Sequence, residues 1–81
     1  MIDFDASAII IKHKIPFVEL EYWLYNNVGH GGRWLDVHYR DGYKMEPMQG
    51  DEWGVYSSSI GRTIISIVDE QKAVLFALRW S

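Results

Sequence analysis

Val68-Asp69-Glu70-Gln71-Lys72-Ala73-Val74-Leu75-Phe76-Ala77-Leu78-Arg79-Trp80-Ser81 closes the chain. The run before it, Thr63 to Val68, is rich in β-branched residues and reads as a strand. At the acidic pair Asp69-Glu70 the pattern changes. Ala73, Phe76, Ala77 and Trp80 fall at i, i+3, i+4 and i+7, which is one face of a helix. A large aromatic one residue from the last position predicts that this closing helix packs into the core. It also predicts one complete domain over residues 1–81.

Outward from that segment, the chain has the size of one domain, 81 residues. A domain this small buries a modest fraction of its surface. It has no cysteine, which excludes disulfides and thiolate zinc sites. Stability must therefore come from apolar packing. The material for that is present: 48% of residues are hydrophobic, with four Trp, five Tyr and three Phe. This is too apolar for a disordered chain, and it is more aromatic surface than one small core is expected to hide. The surplus predicts an interface, with a two-fold homodimer as the simplest form.

The formal net charge is −3, and both signs are scattered along the chain. Without a Lys/Arg stripe, nonspecific binding to duplex nucleic acid is disfavoured. Without an acidic block, imitation of DNA is disfavoured as well. Met1-Ile2-Asp3-Phe4-Asp5 is acidic where a secretory leader would be basic, and no apolar run approaches the length of a membrane span. The expectation is a cytoplasmic protein with no membrane contact.

Ala8 to His13 reads as a short β-branched strand. A helix then begins at Pro16, whose missing N–H costs nothing in a first turn. Phe17, Leu20, Leu24 and Val28 form its apolar stripe, and Glu19 and Glu21 lie near its N-terminus. Asn26-Asn27-Val28-Gly29 is a stop signal with Gly29 as a left-handed cap, and a Gly-rich loop, His30-Gly31-Gly32-Arg33, follows. Trp34 to Tyr39 alternates as a strand. Asp41-Gly42 is a hairpin signal, with Tyr43-Lys44-Met45 as the return strand. Glu46 to Asp51 is a polar loop, Trp53 to Ser58 a strand, Gly61 a turn, and Arg62 to Val68 the last strand. The predicted fold is α+β: a small, mostly antiparallel sheet of about four strands, two helices on one face, order β-α-β-β-β-α.

Two stretches carry a family resemblance. Trp23-Leu24-Tyr25-Asn26-Asn27-Val28-Gly29 precedes a Gly-rich loop and Trp34. Asp69-Glu70-Gln71-Lys72-Ala73 leads into Leu75-Phe76-Ala77-Leu78-Arg79-Trp80. Together they resemble a loose class of small accessory proteins of tailed bacteriophages, in which a helix ending Trp-Leu-x-x-x-Val-Gly is followed by a sheet and a closing Ala-x-x-Phe-x-Leu-x-Trp. The matching pieces cover roughly a third of the chain. They consist of core and capping residues, so the resemblance carries over no catalytic residue. What it implies is context: a viral protein that binds and disables a host component, including restriction, CRISPR or nucleotide-signalling defences.

The candidate binding residues are His30, Gly31, Gly32, Arg33, Trp34, Asp36, His38 and Arg40. The backbone N–H groups of Gly29 to Arg33 would suit an anion nest, with His30 and Arg33 adding positive charge. Yet the loop leaves a helix C-terminus, the wrong end of the dipole for a phosphate. The plainer account is a helix cap and a tight crossing into the sheet. Asp36, His38 and Arg40 alternate on one strand face, where an acid–base pair with an anion clamp and a solvated surface are both consistent with the pattern. His13, His30 and His38 lack metal-ligand spacing, and Glu46, Asp51 and Glu52 lack a calcium-loop pattern, so no metal or cofactor is expected. Ser57-Ser58-Ser59 has no nucleophile elbow. Trp34, Tyr39, Tyr43, Trp53 and Tyr56 lie on expected strands. There they would fill the core, stack on bases or meet a protein partner.

The sequence-level expectation is a non-enzymatic inhibitor of a host or anti-phage defence protein, contacting it through aromatic side chains and the Gly-rich segment. The alternative is a protein that sequesters a nucleotide signal, with Arg33, His38 and Arg40 on phosphates and an aromatic ring on the base.

Overall fold

The computed structural model describes residues 1–33, 50–57 and 61–81, and for Arg33 and Ser57 it describes the backbone. The elements are β1 (Ile2–Asp5), α1 (Ala6–His13), α2 (Phe17–Asn27), β2 (Gly31–Arg33), β3 (Trp53–Ser57), β4 (Thr63–Ile67) and α3 (Glu70–Trp80). The strands form one sheet in the order β1-β4-β3-β2. β4 is antiparallel to both neighbours, while β2 runs parallel to β3. The class is α+β, as expected, with a mixed sheet.

The register explains the core. Ile2, Ile67 and Trp53 stand in one row across β1, β4 and β3, and Phe4, Ile65 and Val55 in the next row on the same face. Trp53, Ile65 and Ile67 are fully buried. All three helices pack into the core built on that face: Ala6 with Ile9 and Ile10 from α1, Leu20 and Leu24 from α2, and Ala73, Phe76 and Trp80 from α3. Aromatic rings bind the layers together. Phe76 lies 4.7 Å from Phe4 between ring centroids and 5.7 Å from Trp23, and Trp23 meets Trp80 edge-on at 6.5 Å. Such tilted and edge-on pairs are the favoured geometries for aromatic rings. The α2 stripe of Leu20, Leu24 and Val28 is buried as its spacing predicts, with Phe17 half-buried beside it.

Three expectations are corrected. Ala8 to His13 is helical, and the N-terminal strand lies earlier, at Ile2–Asp5. Asp5 caps α1: its Oδ1 accepts from the N–H groups of Ser7 at 3.0 Å and Ala8 at 3.4 Å. The helix stops at Lys14 in the left-handed conformation, φ 52°. Cap, stop and burial of Ala6, Ile9 and Ile10 together outweigh the strand preference of three consecutive isoleucines. Second, Gly31–Arg33 is a strand of the sheet and not a free loop. Third, Ala77 is exposed, because Ala73, Phe76 and Trp80 centre the buried stripe and leave Ala77 on its flank. Trp53 to Ser57, Thr63 to Ile67 and the start of α3 at Glu70 match their expected positions. The expected strand Trp34–Tyr39, the Asp41-Gly42 turn, the return strand Tyr43–Met45, most of the Glu46–Asp51 loop and Ser58-Ser59 lie outside the described residues.

Candidate functional site

The segment after α2 is held by its own carbonyl groups. The amides of Val28 and Gly29 both donate to Leu24 O, which ends the helix. The carbonyls of Val28, Gly29, His30 and Gly31 then accept from three parts of the molecule: α3, the adjacent residues Glu52 and Trp53, and α2. Lys72 Nζ donates to Val28 O at 2.8 Å, Trp53 Nε1 to Gly29 O at 2.8 Å, the Glu52 amide to His30 O at 2.8 Å, and the Tyr25 hydroxyl to Gly31 O at 3.1 Å. The Tyr25 ring also stands edge-on to Trp53, 5.0 Å between centroids. Helix C-termini leave carbonyls without partners, and here α3, β3 and α2 itself supply them.

Two glycines are required by this closure. Gly29 has φ +136°, and a Cβ there would lie 1.4 Å from Glu52 Oε2. A Cβ on Gly31 would lie 2.3 Å from the Trp53 carbonyl oxygen and 2.4 Å from its ring. The left-handed backbone accounts for Gly29, and close packing against Trp53 accounts for Gly31. Gly32 differs, since a Cβ there would meet open space.

Around this backbone stands a small charged group. Lys72 Nζ contacts Glu52 Oε1 at 2.6 Å, with both side chains partly exposed. The His30 ring is 81% exposed, and its Nε2 lies 3.9 Å from Asp51 Oδ1. The structure thus places Gly31, Gly32 and Arg33 on β2, the end strand of the described sheet, with His30 in the bend just before it. The Arg33 side chain and all of Trp34, Asp36, His38 and Arg40 lie outside the described residues. Asp51, Glu52 and Lys72, which shape the segment, carry no local signal for that role. Lys72 is 44 residues from the carbonyl it binds.

A second feature is a groove of about 240 Å³ between α2 and α3, lined by Glu19, Tyr22, Trp23, Asn26, Arg79 and Trp80 among others. The Arg79 guanidinium lies over the Trp80 ring, 4.2 Å from its centroid. The Asn26 amide donates back to Tyr22 O, while the buried Trp80 indole N–H has no hydrogen-bond partner among the described residues. Among the described residues no group of three or more His, Cys, Asp or Glu could hold a metal ion, and no helix is long and apolar enough to cross a membrane.

Comparison with protein-family models, with curated proteins and with solved structures finds no match.

Proposed function

We propose that this chain is a non-enzymatic, phage-type accessory protein of the host cytoplasm, which binds and inhibits a host or anti-phage defence protein. The observation that carries it is the anchored segment Val28–Gly31. Four consecutive carbonyls are bound by α3, by Glu52 and Trp53, and by α2, so the backbone that presents His30 is held before any partner arrives. A preorganised segment loses little entropy on association, which suits a recognition surface. The carboxylates of Asp51 and Glu52 stand against it. Lys72 is already paired with Glu52 and His30 stands beside Asp51, so these groups offer a phosphate no excess positive charge and the inhibitor is preferred to the nucleotide-sequestering alternative.

Affinity purification from a bacterial lysate tests this, with wild type and a His30→Glu, Arg33→Glu double variant as paired baits and mass spectrometry of retained proteins and small molecules. The expected result is one protein, retained by wild type and lost by the variant. Retention of a nucleotide in place of a protein, or equal capture by both baits, would overturn it.

A further inference from the structure

α3 is apolar on two opposite sides. Ala73, Phe76 and Trp80 are buried against the sheet, while Val74, Leu75 and Leu78 face solvent at 56%, 54% and 71% exposure. α2 repeats the arrangement. Leu20, Leu24 and Val28 face inward, and Val18 and Tyr22 face outward at 67% and 72% exposure. A surface helix normally carries one apolar stripe and a polar back. Here two neighbouring helices, packed through Trp23 on Phe76 and Trp80, both carry a second one.

The spacing of the outer stripes identifies what fits them. Val18 and Tyr22 on α2 and Val74 and Leu78 on α3 stand at i, i+4, with Leu75 three positions before Leu78, the spacing by which helices seat against helices in bundles. α2 and α3 run antiparallel, since Lys72 in the first turn of α3 bonds Val28 O at the C-terminal end of α2 while Trp80 at the end of α3 meets Trp23 further back in α2. An antiparallel helix pair with an apolar outer face is self-complementary across a two-fold axis, and two copies would close a four-helix bundle. The area is adequate: five exposed apolar or aromatic side chains offer on the order of 500 Å² per copy, where a standard interface takes about 800 Å² per partner and a little over half of it is apolar. Charge permits it as well, since Glu19 and Arg79 both line the groove between the helices and the outer stripes carry no run of one sign. α2 has no Lys or Arg, which disfavours an anionic lipid surface as the occupant.

We infer that the outer face of the α2–α3 layer is the interface with a second copy of this chain. The two copies pair their helices across a two-fold axis and leave β2 and His30 at the far edge of the sheet free for another partner. Because this surface does not include His30 or Arg33, its failure and the failure of the binding assignment above are separate results.

Sedimentation equilibrium over about 1–100 μM, a range that brackets micromolar association, is the first test. Wild type should be dimeric in the upper part of that range. Leu75→Glu and Leu78→Glu place a charge on the stripe at exposed positions, and each should weaken dimerisation by about tenfold or more. The chain has no cysteine, so a single Leu75→Cys gives an independent and nearly neutral probe. It should form a covalent dimer under mild oxidation, whereas Lys12→Cys on the exposed side of α1 should not. Wild type that stays monomeric throughout, a dimer unaffected by both glutamates, or equal crosslinking at the two cysteines would overturn the inference. So would a monomer that binds phosphatidylserine vesicles or a foreign protein through the same face.

Discussion

The two faces of α3 contain the same kind of residue and do different work. Phe76 and Leu78 are two positions apart, both large and apolar, one fully buried and the other 71% exposed. The inner face joins Phe4, Trp23 and the sheet into one core. The outer face contributes nothing to that core. Hydrophobicity alone therefore does not say which side of this helix makes the fold. The sheet register does, because Ile65 and Ile67 offer a surface only on one side. β2 shows the same contrast on a smaller scale: Gly31 sits against Trp53, and its neighbour Gly32 meets open space.

The largest expected effect is on the inner face. Phe76→Ala removes a fully buried ring that touches two others, and should cost about 3–5 kcal/mol in denaturant unfolding. A loss below about 1 kcal/mol would show that α3 is not docked as described. Next comes Gly31→Ala. Its Cβ would collide with the Trp53 backbone and ring, and should destabilise by about 1–3 kcal/mol as an overpacking change. Gly32→Ala is the control and should be close to neutral. Equal effects at 31 and 32 would break the comparison on β2.

Asp69→Ala touches neither face of α3. It removes the cap in which Oδ1 accepts from the amides of Gln71 at 2.8 Å and Lys72 at 3.1 Å, and should cost about 1 kcal/mol. That value sets a baseline between inner and outer faces. The smallest effect belongs to Leu78→Ala. Read on dilute protein, where the monomer dominates, it should change stability by no more than about 0.5 kcal/mol. A change above about 2 kcal/mol at that dilution would mean that the outer face packs within the same chain. If the dimer forms, the Leu78→Ala effect should grow with protein concentration, whereas the Phe76→Ala effect should not.

Much of this was legible beforehand where a signal was local. The stripe of α2 and the change of period at Asp69-Glu70 stand within a few residues of the elements they define. The isoleucine run of α1 misled because β-branching is a weak preference, overridden once Asp5 caps the helix and Ala6 enters the core. Ala77 misled by a flank position on a helix with apolar residues on most of its circumference. Of the candidate site, glycine at 29 and 31 was visible in the sequence. The reason for Gly31 was not, because Trp53 stands 22 positions away in the chain, brought alongside only by the parallel pairing of β2 with β3.

By itself, then, the sequence determined that the fold is α+β and that α2, β3, β4 and α3 form where they do. Those properties depend on short-range spacing and composition. Only the tertiary structure decided that β2 is a strand, that four carbonyls after α2 are closed by Lys72, Trp53, Glu52 and Tyr25, and which apolar side of each helix is left outside. The physical reason is that each of these depends on a partner distant in the chain. A hydrogen-bond acceptor or an apolar face is written into the sequence, but the group that satisfies or covers it is chosen only when the chain has folded.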